Sequence, residues 1–200
     1  MIEYQNLVQK ISICTKCTLG HKRTQAVPGE GSLKANMFLT GEAPGYYEDQ
    51  AGRPFVGRAG KLLDKLLESI SLSRKDVYIT NLLKCRPPNN RDPLPNEIKA
   101  CGDYLSEQLE MISPKLIVTL GRYSLTKFLP SKSLSNVRGT LIKYKEMHLY
   151  PVYHPAAGLR NGNMLDKLRN DFIKIPEIME SLDTTKTDKN IQEDSQLNLF

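Results

Sequence analysis

Residues 79–88 read ITNLLKCRPP, and the way this run ends decides how the chain is read. A β-branched apolar stretch, VYITNLL (77–83), delivers an asparagine, Asn81; four residues on come a cysteine, an arginine and two prolines that no strand can continue through. Three further runs have the same β-rich character: NMFLTG (36–41), KLIVTLG (115–121) and HLYPVYH (148–154). Helical patterns lie between them. In GKLLDKLLESI (60–70), Leu62, Leu63, Leu66, Leu67 and Ile70 recur at the spacing of one buried helix face. NEIKACGDYLSEQLEMI (96–112) predicts a helix capped by Asn96, just after Pro95, and ending before Pro114. GRYSLTKFL (121–129) predicts a helix opening where the third strand stops. The alternation predicts an α/β fold, three-layer α/β/α with a central, mainly parallel four-stranded sheet. Ligands of such sheets gather beyond the carboxyl ends of the strands. Three of the four runs lead there into polar or glycine-rich sequence: GEAPGYYEDQAGRPFVG (41–57), NLLKCRPPNNRDPLP (81–95) and YHPAAGLRNG (153–162). Three unusual loops at one sheet edge predict a single site.

The chain has 200 residues, enough for one domain with a real core. No stretch approaches the roughly 18 uninterrupted apolar residues of a membrane span, and MIEYQNLVQK lacks the apolar core of a signal peptide. The expectation is an intracellular, cytoplasmic protein without membrane contact. Charge is uneven. Residues 183–200 carry a net −2, from Asp183, Asp188, Glu193 and Asp194 against Lys186 and Lys189; the whole chain carries +6, which leaves residues 1–182 at +8. A basic body suits a polyanion such as nucleic acid. The apolar periodicity stops near residue 182, so the division expected is a domain over 1–182 and a flexible tail over 183–200. The tail ends in QLNLF (196–200), apolar again, and similar to truncated sliding-clamp-binding peptides, though without their second aromatic; its alternative is a terminus packed on its own domain.

Four cysteines are present: Cys14 and Cys17 as C-x2-C, with Cys85 and Cys101 far along the chain. Disulfides do not suit a reducing interior. A tetrathiolate site tying loops together does, and both zinc and a [4Fe–4S] cluster accept four thiolates. Zinc sites favour two compact knuckles, whereas here the second pair is split by a loop and a helix start, which favours the larger cluster. Cys85 would pin RPPNNRDP (86–93) to the N-terminal segment, holding Arg86 and Arg91 where phosphates could meet them.

Asn81 can donate and accept at once, as reading a nucleobase edge requires, or it can simply end a strand. His154, ahead of Pro155, fits a site imidazole or a turn histidine; Phe55 fits an aromatic platform or the core. Glu42, Glu48 and Asp49 fit site carboxylates or caps for the helix near residue 58. On three loops at one edge they add up to a platform, an edge-reading amide, an imidazole and carboxylates.

GEAPGYYEDQAGRPFVGRAGKLLD (41–64), YITNLLKCRPPNNRDP (78–93) and YHPAAGLRNG (153–162) resemble, in order and spacing, the signature blocks of the family 4 uracil-DNA glycosylases, the iron–sulfur members of that superfamily. VPGEGSLKANMFLTGEAPG (27–45) fits the same pattern, and the resemblance spans about residues 7–175. It implies that Cys14, Cys17, Cys85 and Cys101 hold a [4Fe–4S] cluster. It implies that the protein flips uracil from single- or double-stranded DNA and hydrolyses its N-glycosidic bond. Phe55 would stack on the base, Asn81 would read N3–H and O4, Glu48 would exclude the thymine methyl, and His154 would donate to O2. Glu42, with backbone around Gly41 and Ala43, would line the scissile bond and the water. Leu159 would fill the gap in the stack, and Arg86, Arg91 and Arg160 would meet DNA. Tyr46 and Tyr47 stand where the family carries acidic or small residues, and RNGN (160–163) lacks a proline common after the asparagine. A monomer is expected. The competing readings are a glycosylase for another deaminated base such as hypoxanthine, and a metal-stapled DNA-binding module without catalysis.

Overall fold

The structure, a computed structural model, describes residues 2–184. Its four parallel strands are those the sequence marks: β2 (Met37–Gly41), β3 (Tyr78–Asn81), β4 (Leu116–Leu120) and β6 (Met147–Val152). Two short strands extend the sheet to six. β1 (Glu30–Gly31) runs antiparallel to β3, and β5 (Ile142–Tyr144) antiparallel to β6, in the order β1-β3-β2-β4-β6-β5. The expected count of four is therefore corrected to six. Both additions are edge strands too short to show a periodicity. β5 folds back on β6 through Lys145, which takes a left-handed φ of 52°.

Alternation along the strands builds two cores. Leu39, Ile79 and Val118 point to one side, where they meet Leu63, Leu66 and Leu67 of α3 (Arg58–Glu68) and Leu168 and Phe172 of α8 (Gly162–Ile173). Phe38, Tyr78 and Ile117 point to the other, against Leu105, Leu109 and Ile112 of α4 (Pro95–Ile112). Each fully buried leucine contributes about 1.5–3 kcal/mol of transfer free energy, so the two layers fix the sheet from both faces. A third, smaller cluster joins Leu7 and Ile11 of α1 (Ile2–Ser12) to Leu83, Cys85, Cys101 and Tyr104. The three-layer α/β/α class holds.

The cap of α4 lies two residues earlier than expected. Leu94, not Asn96, is the N-cap; Pro95 occupies the first helical position, where its missing N–H is no loss, and Glu97 accepts from the Leu94 N–H at 2.8 Å. The helix at the end of β4 is α5 (Arg122–Thr126). Helix continues over 175–184, past the expected start of the tail at 183, and Lys115 pairs with Asp183. QLNLF lies outside the described residues. No helix among them is long and apolar enough to cross a membrane.

Buried polar groups knit the sheet to its helices. The Lys84 ammonium donates to Thr80 Oγ1, the Asn81 carbonyl and Gln108 Oε1, each at 2.7 Å. Gln108 in turn donates to the Pro28 carbonyl and the Tyr78 hydroxyl, which pairs with Tyr4.

Candidate active site

β2 sits between β3 and β4, so the chain leaves it in both directions and opens a crevice at its carboxyl end. A cleft of about 560 Å³ occupies that crevice. Glu42 and Ala43 follow β2, Asn81 ends β3, Gly121 follows β4, and His154 lies two residues past β6; all line the cleft, with Glu48, Phe55, Arg91 and Arg160. Gly41 lies buried beneath it. The first loop, the β3 loop and the β6 loop therefore meet at one place, as the three unusual sequences implied. A second cleft, about 690 Å³, lies at the opposite ends of β4 and β6 near Lys115 and His148, away from these residues.

Phe55 reaches the cleft through an uncommon backbone. Its φ is 53°, left-handed, and its ring stacks beside His154 at 5.7 Å between centroids and 28° between planes. Two devices hold it. Glu48 accepts from the backbone N–H groups of Val56 at 2.9 Å, Gly57 at 2.8 Å and Gly45 at 3.1 Å. Arg74 donates to the Pro54 carbonyl at 2.9 Å and to the Phe55 carbonyl, while pairing with Asp64 and Glu30 at 2.6 Å each. Glycines make room: a Cβ on Gly41 would press on Phe55 Cζ at 2.6 Å and on the Asn81 amide oxygen, and one on Gly60 would overlap the Phe55 carbonyl. Glu48 thus does the capping that the sequence offered as its alternative role, while remaining on the cleft wall.

His154 is N-cap of the short helix α7 (Pro155–Gly158), and its Nδ1 accepts from Ala156 N at 3.1 Å. That bond leaves the ring proton on Nε2, a donor. Burial, with Arg160 nearby, pulls its pKa down to about 4, so the imidazole is neutral at ordinary pH. Burial acts on Glu42 in the opposite direction. Its carboxyl is pushed up to about 7 by desolvation and by Asp92, against the pull of Arg122. Arg122 itself pairs with Asp92 at 2.7 Å. Asn81 is buried, and its side-chain amide has no protein partner among the described residues, which leaves its donor and acceptor for something in the cleft.

The expected DNA contacts divide. Arg160 lines the cleft, and Leu159 is exposed at the turn leading to α8. Arg91 is held by Glu97 in two bonds, at 2.9 and 2.6 Å. Arg86 lies over the Tyr46 ring at 5.1 Å and donates to Asn90 at 2.7 Å. Sequence reasoning passed over Arg122, although it stands directly after the glycine that ends the third strand run. It also passed over Arg74 and Lys84, whose roles are long-range contacts with no local signature.

All four cysteines line one small cavity beside α1, with Arg23, Lys84 and Tyr104. Donors are aimed at the sulfurs: Arg23 Nη1 to Cys85 at 3.0 Å, the Lys84 N–H to Cys101 at 3.2 Å and the Lys16 N–H to Cys14 at 3.5 Å. Burial pushes the Cys101 thiol up to about 11, so ionising it calls for compensating positive charge, which Lys84 partly supplies. No group of three or more His, Cys, Asp or Glu side chains among the described residues is arranged to hold a single metal ion.

A mainly parallel sheet flanked by helices, with a cleft at the carboxyl ends of its strands lined by an aromatic ring and an unpartnered amide, defines an α/β protein with its candidate site at the switch point of the sheet. The chain belongs to the uracil DNA glycosylase superfamily, whose model matches residues 28–175. It is 50% identical to the type-4 uracil-DNA glycosylase of Sulfurisphaera tokodaii, the match covering 89% of this chain and 86% of the relative. It is 46% identical to that of Archaeoglobus fulgidus, covering 89% and 94%, and 47% identical to that of Thermotoga maritima, covering 76% and 81%.

The raised Glu42 pKa has a consequence for stability. Between the unfolded carboxyl's value and about pH 7 the folded protein binds the extra proton, so this group destabilises the fold progressively as pH rises through that window. Glu42→Gln removes the effect. The thermal midpoint of the variant relative to the parent is expected to rise from pH 5 to pH 8 and to level off above; a difference independent of pH would contradict the shift.

Proposed function

We propose that the protein is a type-4 uracil-DNA glycosylase, a monofunctional hydrolase that takes uracil out of DNA and cleaves its N-glycosidic bond to leave an abasic site, acting inside the cell. The observation that carries this reading is His154, its Nδ1 held by the Ala156 N–H and its ring beside Phe55, in one cleft with the free Asn81 amide. Extruding a nucleotide costs a few kcal/mol, offset by stacking on an aromatic ring at about 1–3 kcal/mol per base. Asn81 matches a uracil edge that offers a donor at N3 and an acceptor at O4, and cytosine presents the opposite pattern. As the bond breaks, charge collects on uracil O2, and a preplaced Nε2–H lowers the energy of that state without itself giving up the proton. Glu48 stands on the wall beside the base and rejects a methyl group. With the carboxylate of Glu42 at the cleft's edge, water is positioned to meet the oxocarbenium-like sugar on a mainly dissociative path. Leu159, with Arg160 and Arg86, faces the strand that the nucleotide leaves.

Cys14, Cys17, Cys85 and Cys101 are proposed to hold a [4Fe–4S] cluster. What supports it is the shared cavity and the donors directed at the sulfurs, which stabilise thiolate charge. Its contribution is structural: it fixes the loop that carries Arg86. Gln196–Phe200 is proposed to dock on a sliding clamp.

Incubation with uracil-containing single- and double-stranded oligonucleotides, then alkali, should reveal strand breaks only where uracil stood. His154→Ala should lower the single-turnover rate on the order of 10²–10³-fold. The parent rate should rise with pH through about 7 as Glu42 ionises, and Glu42→Gln should lose that limb; a variant keeping full rate would remove Glu42 from the mechanism. Cys85→Ser should lose the cluster's brown colour together with folded yield and DNA affinity, and intact binding with lost catalysis would refute the structural role. A clamp should retain the full chain but not one ending at Asp194; equal retention would dismiss the tail as the docking element.

A further inference from the structure

Among the described residues, two aromatic side chains are left exposed, and they are neighbours: Tyr46 at 53% and Tyr47 at 63%. Tyrosine rings usually bury most of their area, so two in water side by side mark a contact surface. They open α2 (Tyr46–Ala51) immediately after Gly45, and Glu48 follows; both flanking residues line the cleft. The rings meet edge to face, 5.4 Å between centroids and 80° between planes. Tyr46 is braced from the second loop, where the Arg86 guanidinium lies over its ring at 5.1 Å while donating to Asn90. Pro87, which follows Arg86, and Asn90, which accepts from it, line the cleft too. The two rings and one guanidinium therefore form a ledge at the mouth of the cleft, separate from the Phe55 floor inside it.

Taking the proposed glycosylase activity as given, we infer that the Tyr46–Tyr47 pair, braced by Arg86, offers a free ring face on which the nucleobase that flanks the extruded uridine stacks. The chemistry is that of single-strand recognition: with the two rings nearly perpendicular, one presents a flat π-face to a base of any identity while the other ring and the guanidinium hold it in place, and the cation faces the adjoining phosphate. When a nucleotide is turned out of the helix, its neighbour loses a stacking partner, and an exposed ring beside the cleft replaces it. Stacking tolerates every base, so the platform contributes affinity without sequence preference.

The test uses a labelled single-stranded oligonucleotide with one uridine analogue that resists hydrolysis, and its affinity is read by fluorescence anisotropy. Companion strands carry a baseless sugar on one or the other side of the analogue. For the parent protein, removing the flanking base on one side should weaken binding about 5- to 150-fold, the value of one base–aromatic stack. Tyr46→Ala/Tyr47→Ala should weaken binding to the intact strand by a similar factor and become indifferent to the missing base. Tyr46→Phe/Tyr47→Phe should behave as the parent, since the ring and not the hydroxyl makes the contact. A parent indifferent to the loss of either neighbour, or an alanine variant as sensitive as the parent, overturns the inference. A strand with thymine in place of the analogue reads the other question: equal affinity for it would count against the uracil pocket while leaving the neighbour-base comparison interpretable.

Discussion

A lysine ammonium with no access to water can stand in a core only if each of its N–H bonds finds an acceptor, and Lys84 meets that condition with one acceptor per proton. Burial drags its pKa down to about 7, and the nearby Cys101 and Cys85 pull it back up. The three acceptors belong to β3, to the main chain of Asn81 and to α4, so the ammonium fastens the carboxyl end of β3 to the helix that carries Cys101. Its own backbone N–H reaches the Cys101 sulfur. One residue therefore connects the thiol cavity to the main chain of Asn81, whose side-chain amide faces the cleft, and the close succession of asparagine, lysine and cysteine in NLLKC becomes intelligible. An apolar substitute would take the Lys84 donor away from Gln108 Oε1 and from the Asn81 carbonyl, at roughly 1–3 kcal/mol for each buried acceptor left unpaired.

The floor of the cleft is held by a different principle. A non-glycine residue in the left-handed region costs about 1–2 kcal/mol, and Phe55 accepts that position because Arg74 and Glu48 grip the backbone around it. The grip is ionic at one remove: Glu30 and Asp64 fix Arg74, and Arg53 also pairs with Glu30 at 2.7 Å. Glu30 belongs to the two-residue edge strand β1, which gives that strand a purpose beyond extending the sheet. It anchors the arginine that aims the aromatic ring.

Strand runs and helix faces were legible because period-2 and period-3.6 patterns are local. The site was legible in outline because a parallel sheet gathers its loops at one edge, so Asn81, His154 and Phe55 could be assembled before any coordinates. The edge strands β1 and β5 were not, having two and three residues and no pattern of their own. Nor were the supports. Arg74 lies 19 residues beyond Phe55 in sequence, and nothing in LSRKD (72–76) marks it as the brace of another loop. Glu48 shows the ambiguity most plainly: a carboxylate three residues after a glycine reads equally as a cap or as a site group, and in the fold it caps one loop while lining the cleft.

Burial is a single cause with two opposite effects in this cleft. It disfavours whichever form carries charge, so it drives the imidazole's pKa down and the carboxyl's up. At neutral pH the site therefore presents an uncharged donor and a carboxylate near its midpoint, in a body that is strongly basic overall. An imidazolium would bind an anionic leaving group more strongly, but it would also have to be desolvated beside Arg160. A neutral Nε2–H held in place by the Ala156 N–H needs no such penalty and no reorganisation as charge develops. In the proposed reaction the formal positive charge is left to the arginines at the rim, where water screens them until DNA arrives. On that reading His154 and Asn81 act on the base through fixed dipoles, and the cations act at a distance on the phosphates. The separation would let the protein attract a polyanion without setting a cation against the base.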